Sequence, residues 1–332
     1  MSAVRAVAHA NIALVKYWGK RDAALMLPSA SSVSLTLDAF YTTTSVGLHE
    51  GDADEVSLDG APLTGGALVK VERFLDLVRS QAAPGVAGRR ARVASRNDVP
   101  TAAGLASSAS AFAALAGAAA GAYGVALDRA GLSRLARRGS GSASRSVYGG
   151  FVQWRAAAEL PPAEADLASV AEPLPSSPDL DVAMAVVVLA AGPKAIGSRE
   201  AMAHTVATSP YFPAWAEHTE RDAAAACEAI AAGDLERLGE ITETSAMRMH
   251  ATMLAAAPPV RYLAPASLEV LDAVAALRAA GTGAWATMDA GPNVKVLCAA
   301  SDLEAVVAAL ADGGRRTVLR ARPGPGLRVE RE

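Results

Sequence analysis

A chain of 332 residues with a net charge of −3 and a pI near 6.0 has no global positive field; this argues against a general nucleic-acid binder and confines any basic surface to a local patch. Its length allows one large or two modest domains. Cys227 and Cys298 lie far apart and lack the paired spacing of a metal site or a disulfide framework, the pattern of a reduced, cytoplasmic protein.

Residues 4–8 read as a short strand. The stretch after it, Asn11-Ile-Ala-Leu-Val-Lys16-Tyr17-Trp18-Gly-Lys20, sets two cations and a phenol among apolar residues, either as a strand with solvated lysines or as the wall of a pocket. Alternation over 32–37 and 42–48 predicts paired strands, and Asp59-Gly60 predicts a hairpin turn. Leu68, Val71, Phe74, Leu75 and Val78 recur at helical spacing and predict an amphipathic helix over 66–81; residues 90–95 read as a further strand.

Residues 99–127 contain no charged side chain. Within them, Pro100-Thr-Ala-Ala103-Gly104-Leu105-Ala106-Ser107-Ser108-Ala109 reads as a small-residue loop entering a helix. Gly104 lets the backbone bend toward a ligand, and the two serines set hydroxyls beside the unpaired N–H groups of a helix start. Such a place suits an anion, phosphate above all, although an ordinary N-cap would look the same. Built of Ala, Gly and Ser rather than Leu, Ile and Phe, the segment fits a buried helix close to a sheet better than a membrane span.

Asp128 caps a shorter helix ending near Arg138. Residues 129–158 hold six arginines and no carboxylate. The loop Gly139-Ser-Gly-Ser142-Ala-Ser144-Arg145-Ser gathers glycines, hydroxyls and a guanidinium, the chemistry an oxyanion needs. An apolar strand at 150–154 follows at once, which favours an ordered loop over a solvated one. Five prolines within 160–180 mark a surface excursion and the boundary between an N-terminal domain, 1–180, and a C-terminal domain, 181–332. Residues 183–190 read as a buried strand, and the polar loop that follows opens a helix at Ser198-Arg199. Three helical runs come next: Phe212–Ala232, Leu235–Leu254 behind Asp234, and 266–280 after Pro265. Then come a strand at Ala284–Met288, the turn Asp289-Ala-Gly-Pro-Asn293, a strand at Val294–Ala299, a helix at 302–310, a strand at 317–320 and a frayed tail over 324–332. No internal repeat is visible.

Residues 11–22, 100–109 and 137–146 together resemble the mevalonate diphosphate decarboxylases, a branch of the GHMP kinase superfamily, and Met288-Asp-Ala-Gly-Pro-Asn293 is a fourth match. The loop at 100–109 marks only the superfamily, whereas the other three mark the decarboxylase branch. The resemblance implies an α+β, GHMP kinase-like two-lobed fold: an N-terminal nucleotide-binding lobe, a C-terminal ferredoxin-like α/β sandwich, and an active-site cleft between them. It implies that ATP and mevalonate 5-diphosphate give isopentenyl diphosphate, ADP, phosphate and carbon dioxide with Mg2+ assisting. The expected setting is a cytoplasmic homodimer that binds neither nucleic acid nor membrane.

Carried over by motif position, Asp289 orients the substrate's 3-hydroxyl and accepts its proton, and Arg145 holds the C1 carboxylate, which a planar guanidinium can fix through two hydrogen bonds. Lys16 falls near the catalytic centre and keeps Asp289 ionised. Tyr17, Lys20, Ser142 and Ser144 are expected on the diphosphate, with Ser198 and Arg199 contributing from a loop that matches less closely. Ser95 and Asn97 face the adenine. Pro100, Ala103, Gly104, Leu105, Ala106, Ser107 and Ser108 cradle the triphosphate, one of the two serines touching the metal, while Trp18 and His250 pack around the centre. One departure stands out: Ala30 occupies a place where family members often carry Asn, which bears on the choice between a 5-diphosphate and a 5-monophosphate. Three other functions compete with this one: a phosphomevalonate decarboxylase, a GHMP-type kinase without decarboxylation, and a catalytically silent nucleotide-binding regulator.

Overall fold

Val4–Val15, twelve residues buried along nearly their whole length, is the strand around which the first sheet is built. The computed structural model describes residues 3–98, 107–189 and 196–331. The expected pair of strands at 32–37 and 42–48 is one strand, Ser32–His49. Both its halves pair antiparallel with the first strand, Leu35 opposite Ile12 and Thr44 opposite Ala6, with a register shift between His9 and Asn11. A local alternating pattern cannot show that two segments share one long partner.

The eight-stranded sheet runs Arg328–Arg331, Val4–Val15, Ser32–His49, Arg90–Asp98, Glu55–Leu58, Ala61–Pro62, with Phe151–Trp154 and Ala171–Pro173 added along the other half of Ser32–His49. Asp59 and Gly60 both take positive φ in the turn after Glu55–Leu58, as a tight hairpin requires. The tail expected to fray instead pairs with the first strand, Val4 opposite Arg331, because the edge of that strand offers unpaired backbone groups. Likewise the 160–180 segment is more than a surface excursion. It contains the helix Pro162–Ala168 and the strand Ala171–Pro173, and the buried Arg137 ties it down through Asp166 and the Ser169 carbonyl.

Helices Gly65–Arg79, Ser107–Ala122 and Arg129–Gly139 cover one face of this sheet, Asp128 capping the last through the Gly131 N–H. The other face packs on helices Phe212–Ala232 and Leu235–Leu254 together with the second sheet, whose antiparallel order is Ala284–Met288, Val294–Ala299, Val182–Val188, Thr317–Ala321. Along Val182–Val188 one set of alternate residues, Val182, Met184 and Val186, joins Ile12, Leu14 and Leu35 in the core between the sheets. The other set, Ala183, Ala185 and Val187, packs under helices Pro265–Ala279 and Leu303–Leu310. A strand buried on both faces reads as an unbroken apolar run, which is how it appears in the sequence. Among the described residues no helix is long and apolar enough to cross a membrane.

Candidate active site

The first strand delivers Lys16 one residue past its end, under the core and only 1 % exposed. Its Nζ donates to Asp289 Oδ1 at 2.8 Å and to the Ala13 carbonyl at 2.9 Å, and its backbone N–H donates to Ser245 Oγ at 3.0 Å. Asp289 follows the strand Ala284–Met288 in a turn pinned at three points. Gly291 N–H donates to the Asp289 carbonyl, Ser267 Oγ donates to the Pro292 carbonyl, and Leu189 N–H donates to Asn293 Oδ1. From the neighbouring strand Lys295 brings its Nζ to 3.2 Å from Asp289 Oδ2. Each carboxylate oxygen thus has its own ammonium, while the Asp289 side chain keeps 31 % exposure toward the cleft.

Burial alone would raise the Asp289 pKa; the charges of Lys16 and then Lys295, with their hydrogen bonds, outweigh it and hold the carboxyl well below the usual carboxylate range. Lys16 is pushed down to about 8 by burial, Asp289 opposing. His250, buried beside them, is pushed down to about 4 by burial and then by the Lys16 charge, so it is neutral at physiological pH.

Arg145 comes from the 3₁₀ helix Gly141–Val147, the ordered form of the Gly/Ser loop. Its Nη1 donates to Ser32 Oγ at 2.7 Å and its Nε to Asn11 Oδ1 at 3.2 Å, and the guanidinium lies 5.8 Å from the centre of the Trp154 ring. Asn11 in turn donates to Ser146 Oγ and the Ser142 carbonyl. Burial brings Arg145 down to about 10, so it stays cationic at neutral pH.

These groups open onto a cleft of about 370 Å³ whose lining includes Lys16, Lys20, Lys70, Arg145 and Arg199 and, among the described residues, one carboxylate, Asp289. Such an excess of cations calls for a polyanionic ligand. Among the described residues Lys20 has only a 3.8 Å contact to Met202 Sδ, and Lys70, from helix Gly65–Arg79, sits 4.5 Å over the Phe112 ring. Both are pushed down to about 8, by burial first and then by the neighbouring Arg199. The Tyr17 hydroxyl is buried without a hydrogen-bond partner among the described residues, and burial raises its pKa, so it stays a neutral donor. It lies against Gly141, where a Cβ would stand 2.6 Å from the phenol oxygen; no other residue fits without moving the ring.

Lys16, Tyr17, Lys20, Ser108, Ser142, Arg145, Ser198, Arg199 and Asp289 therefore line one cleft. Ser144 does not. Its buried hydroxyl donates to the Gly141 carbonyl at 2.8 Å, closing its own helical turn. Ser95 and Asn97 bond across the sheet to Thr44 and Thr42 and are not part of this lining. Pro100, Ala103, Gly104, Leu105 and Ala106, and the Ser107 side chain, lie outside the described residues. Trp18 packs with Phe212, Trp215 and Tyr262 in a small core of its own, and also borders the cleft.

Lys70, Lys295 and the two residues that brace Arg145, Ser32 and Asn11, were not anticipated. Lys70 gave no signal, since a lysine on the polar side of an amphipathic helix is usually just solvated. Lys295 did give one: a lone cation inside the apolar strand Val-Lys-Val-Leu-Cys-Ala. For a nucleotide, the exposed Ser108 in the first turn of Ser107–Ala122, with the Ser140 hydroxyl 3.3 Å away, offers donors at a helix N-terminus. Magnesium at such sites is held largely by phosphate oxygens and water, so a hydroxyl there suits it.

A helix-covered sheet facing an antiparallel sandwich across a cation-lined cleft is the architecture of the GHMP kinase-like enzymes. Within that class the chain belongs to the diphosphomevalonate decarboxylase family. Residues 8–168 match the family described as diphosphomevalonate decarboxylase-like N-terminal domain, and residues 184–316 match the mevalonate 5-diphosphate decarboxylase C-terminal domain. The diphosphomevalonate decarboxylase of Aspergillus fumigatus is 38 % identical over 312 residues, covering 89 % of this chain and 76 % of its own, and that of Homo sapiens is 35 % identical over 329 residues, covering 94 % and 81 %. The solved complex "MDDEF in complex with MVAPP, AMPPCP and Magnesium" superposes with a TM-score of 0.92 at 44 % identity, over 100 % of this chain and 99 % of that one. The mevalonate diphosphate decarboxylase of Staphylococcus aureus gives 0.92 at 41 %, over 99 % and 98 %.

Proposed function

We infer that the chain catalyses the ATP-dependent decarboxylation of mevalonate 5-diphosphate to isopentenyl diphosphate, ADP, phosphate and carbon dioxide. The observation that carries this reading beyond phosphoryl transfer is Asp289, held ionised between Lys16 and Lys295 in the same cleft as Arg145. A kinase needs the first feature. Only a decarboxylase also needs a guanidinium fixed to grip a carboxylate.

Asp289 accepts a hydrogen bond from the 3-hydroxyl and aims its oxygen at the γ-phosphorus of ATP. A carboxylate held so far below its usual range is a weak base, but phosphoryl transfer through a loose transition state asks mainly for orientation, with the proton passing late to an oxygen of the transferred phosphoryl group, which leaves Asp289 ionised. Once the 3-oxygen carries phosphate, the C3–O bond breaks and positive charge develops at C3. The Asp289 carboxylate stabilises that charge. Arg145, braced by Ser32 and Asn11, keeps the C1 carboxylate oriented while the C1–C2 bond breaks, and its electron pair becomes the new double bond as carbon dioxide leaves. Lys20, Lys70, Arg199, Tyr17 and Ser142 hold the 5-diphosphate, and Ser108 with residues 100–107 receives the nucleotide phosphates. Magnesium, when bound, neutralises charge on those phosphates, with Ser107 or Ser108 as its protein ligand.

The same reading keeps the division into 1–180 and 181–332 and assigns the protein to the cytoplasm as a homodimer, which sedimentation and cell fractionation test. The function itself is tested by incubating the protein with ATP, magnesium and either mevalonate 5-diphosphate or the 5-monophosphate, and measuring ADP and carbon dioxide. Equimolar ADP and carbon dioxide from the diphosphate is the expected result. ADP without carbon dioxide would reduce the protein to a kinase, and faster turnover of the monophosphate would reassign its substrate.

A further inference from the structure

Lys295 stands in a central strand of the second sheet, paired on both sides, and is 3 % exposed. Its neighbours Val294 and Val296 turn to the helix-covered face, so Lys295 shares with Leu297 the face toward the first sheet. A lysine there gives up its hydration, and an apolar side chain of equal length would fill the space at less cost. Nor is it needed to neutralise Asp289, because Lys16 already does so at 2.8 Å. The second cation therefore calls for an explanation other than stability.

The geometry of the pair supplies one. Lys16 reaches Oδ1 from the end of the first sheet, and Lys295 reaches Oδ2 from within the second. Asp289 held by Lys16 alone could swing its carboxyl plane about that single bond. Lys295 belongs to the strand paired with the one that carries Asp289, Thr287 standing opposite Lys295. Its bond is thus internal to one sheet and does not depend on how far the two lobes stand apart. We propose that Lys295 is a positioning residue that fixes the plane of the Asp289 carboxylate and turns its free lone pairs toward the substrate's 3-hydroxyl. This rests on Asp289 being the group that orients that hydroxyl.

Among the described residues four titratable groups face Asp289 from the elements around it: Lys16, Lys295, Arg145 and the neutral His250. Removing the Lys295 charge leaves two cations nearby and one carboxylate oxygen unheld. In Lys295→Met, kcat falls roughly 10- to 100-fold while the KM for ATP stays within about twofold, the signature of lost orientation. Because a positive charge is gone, the Asp289 pKa rises and the acid limb of the kcat–pH profile moves to higher pH. The melting temperature does not fall, since an apolar chain replaces a buried charge. Lys295→Arg retains the charge and so retains the wild-type acid limb with a lowered kcat; it also carries the test should the Met variant not fold. The proposal is overturned if kcat and the acid limb of Lys295→Met match wild type, or if the Arg and Met variants shift the limb alike. Asp289→Asn, measured alongside, separates the two layers: near-normal turnover there removes the aspartate reading itself, whereas its loss beside an unaffected Lys295→Met removes only the lysine.

Discussion

The two ends of the cleft treat charge in opposite ways. At the Asp289 end the cations are paired or braced before any ligand arrives: Lys16 and Lys295 on the carboxylate, Arg145 on Ser32 and Asn11. At the other end, among the described residues, Lys20 and Lys70 have only a sulfur and a ring face as partners and the Tyr17 hydroxyl has none, while Arg199 stands exposed nearby. A preorganised end spends nothing on reorganisation when charge develops in the reaction, whereas an unpaired end gains most when an anion binds. The first should govern kcat and the second KM.

The widest separation is expected for Asp289→Asn, which removes the only carboxylate among the described lining residues and lowers kcat by roughly 10³-fold or more while nucleotide affinity holds; equilibrium binding of an ATP analogue beside turnover checks it. Near-normal turnover would dissolve the contrast altogether. Arg145→Lys keeps the charge but loses the planar fork braced by two neighbours, so carbon dioxide release should slow by about 100-fold in single-turnover quench experiments. At the far end Lys70→Met should raise the KM for the diphosphate substrate about tenfold and leave kcat within roughly threefold. A kcat loss larger than the KM change would move Lys70 into the preorganised group.

The smallest effect is one of pH. Lys20 and Lys70 are charged below about 8 and lose their protons above it, so kcat/KM for the diphosphate substrate should be level at neutral pH and fall on the alkaline side. In the complex the substrate's negative charge holds those two protonated, and the alkaline limb of kcat follows Lys16 instead. The Lys70→Met variant should therefore soften the fall in kcat/KM without moving the limb in kcat.

Much of this was legible in the chain because its signals are local. The helices Phe212–Ala232 and Leu235–Leu254 meet their expected bounds, since Gly233 in the left-handed region ends one and Asp234 caps the next through the Arg237 N–H. The strands Ala284–Met288 and Val294–Ala299 do so as well, being apolar runs on either side of a Gly-Pro turn. What escaped depends on distant partners: the continuity of Ser32–His49, the pairing of Arg328–Arg331, and the bonds that turn the Ser144 hydroxyl inward. Within the site, motif residues could be placed in advance, but Lys70 reaches the cleft only because its helix lies beside Phe112, and no spacing rule shows that.

Arg328–Arg331, pairing with residues 4–7, has a consequence for how the protein is made. The strand whose far end presents Lys16 leaves the ribosome about 320 residues before the segment that completes one of its edges. Leu327 and Val329 also lie over Gly117, where a Cβ would stand 2.8 Å from Val329, so the same short segment clasps the helix Ser107–Ala122. The edge of the first sheet is therefore closed only after the strands of the second have been synthesised, and nascent chains stalled before this clasp should expose the first-strand edge as a site for mispairing.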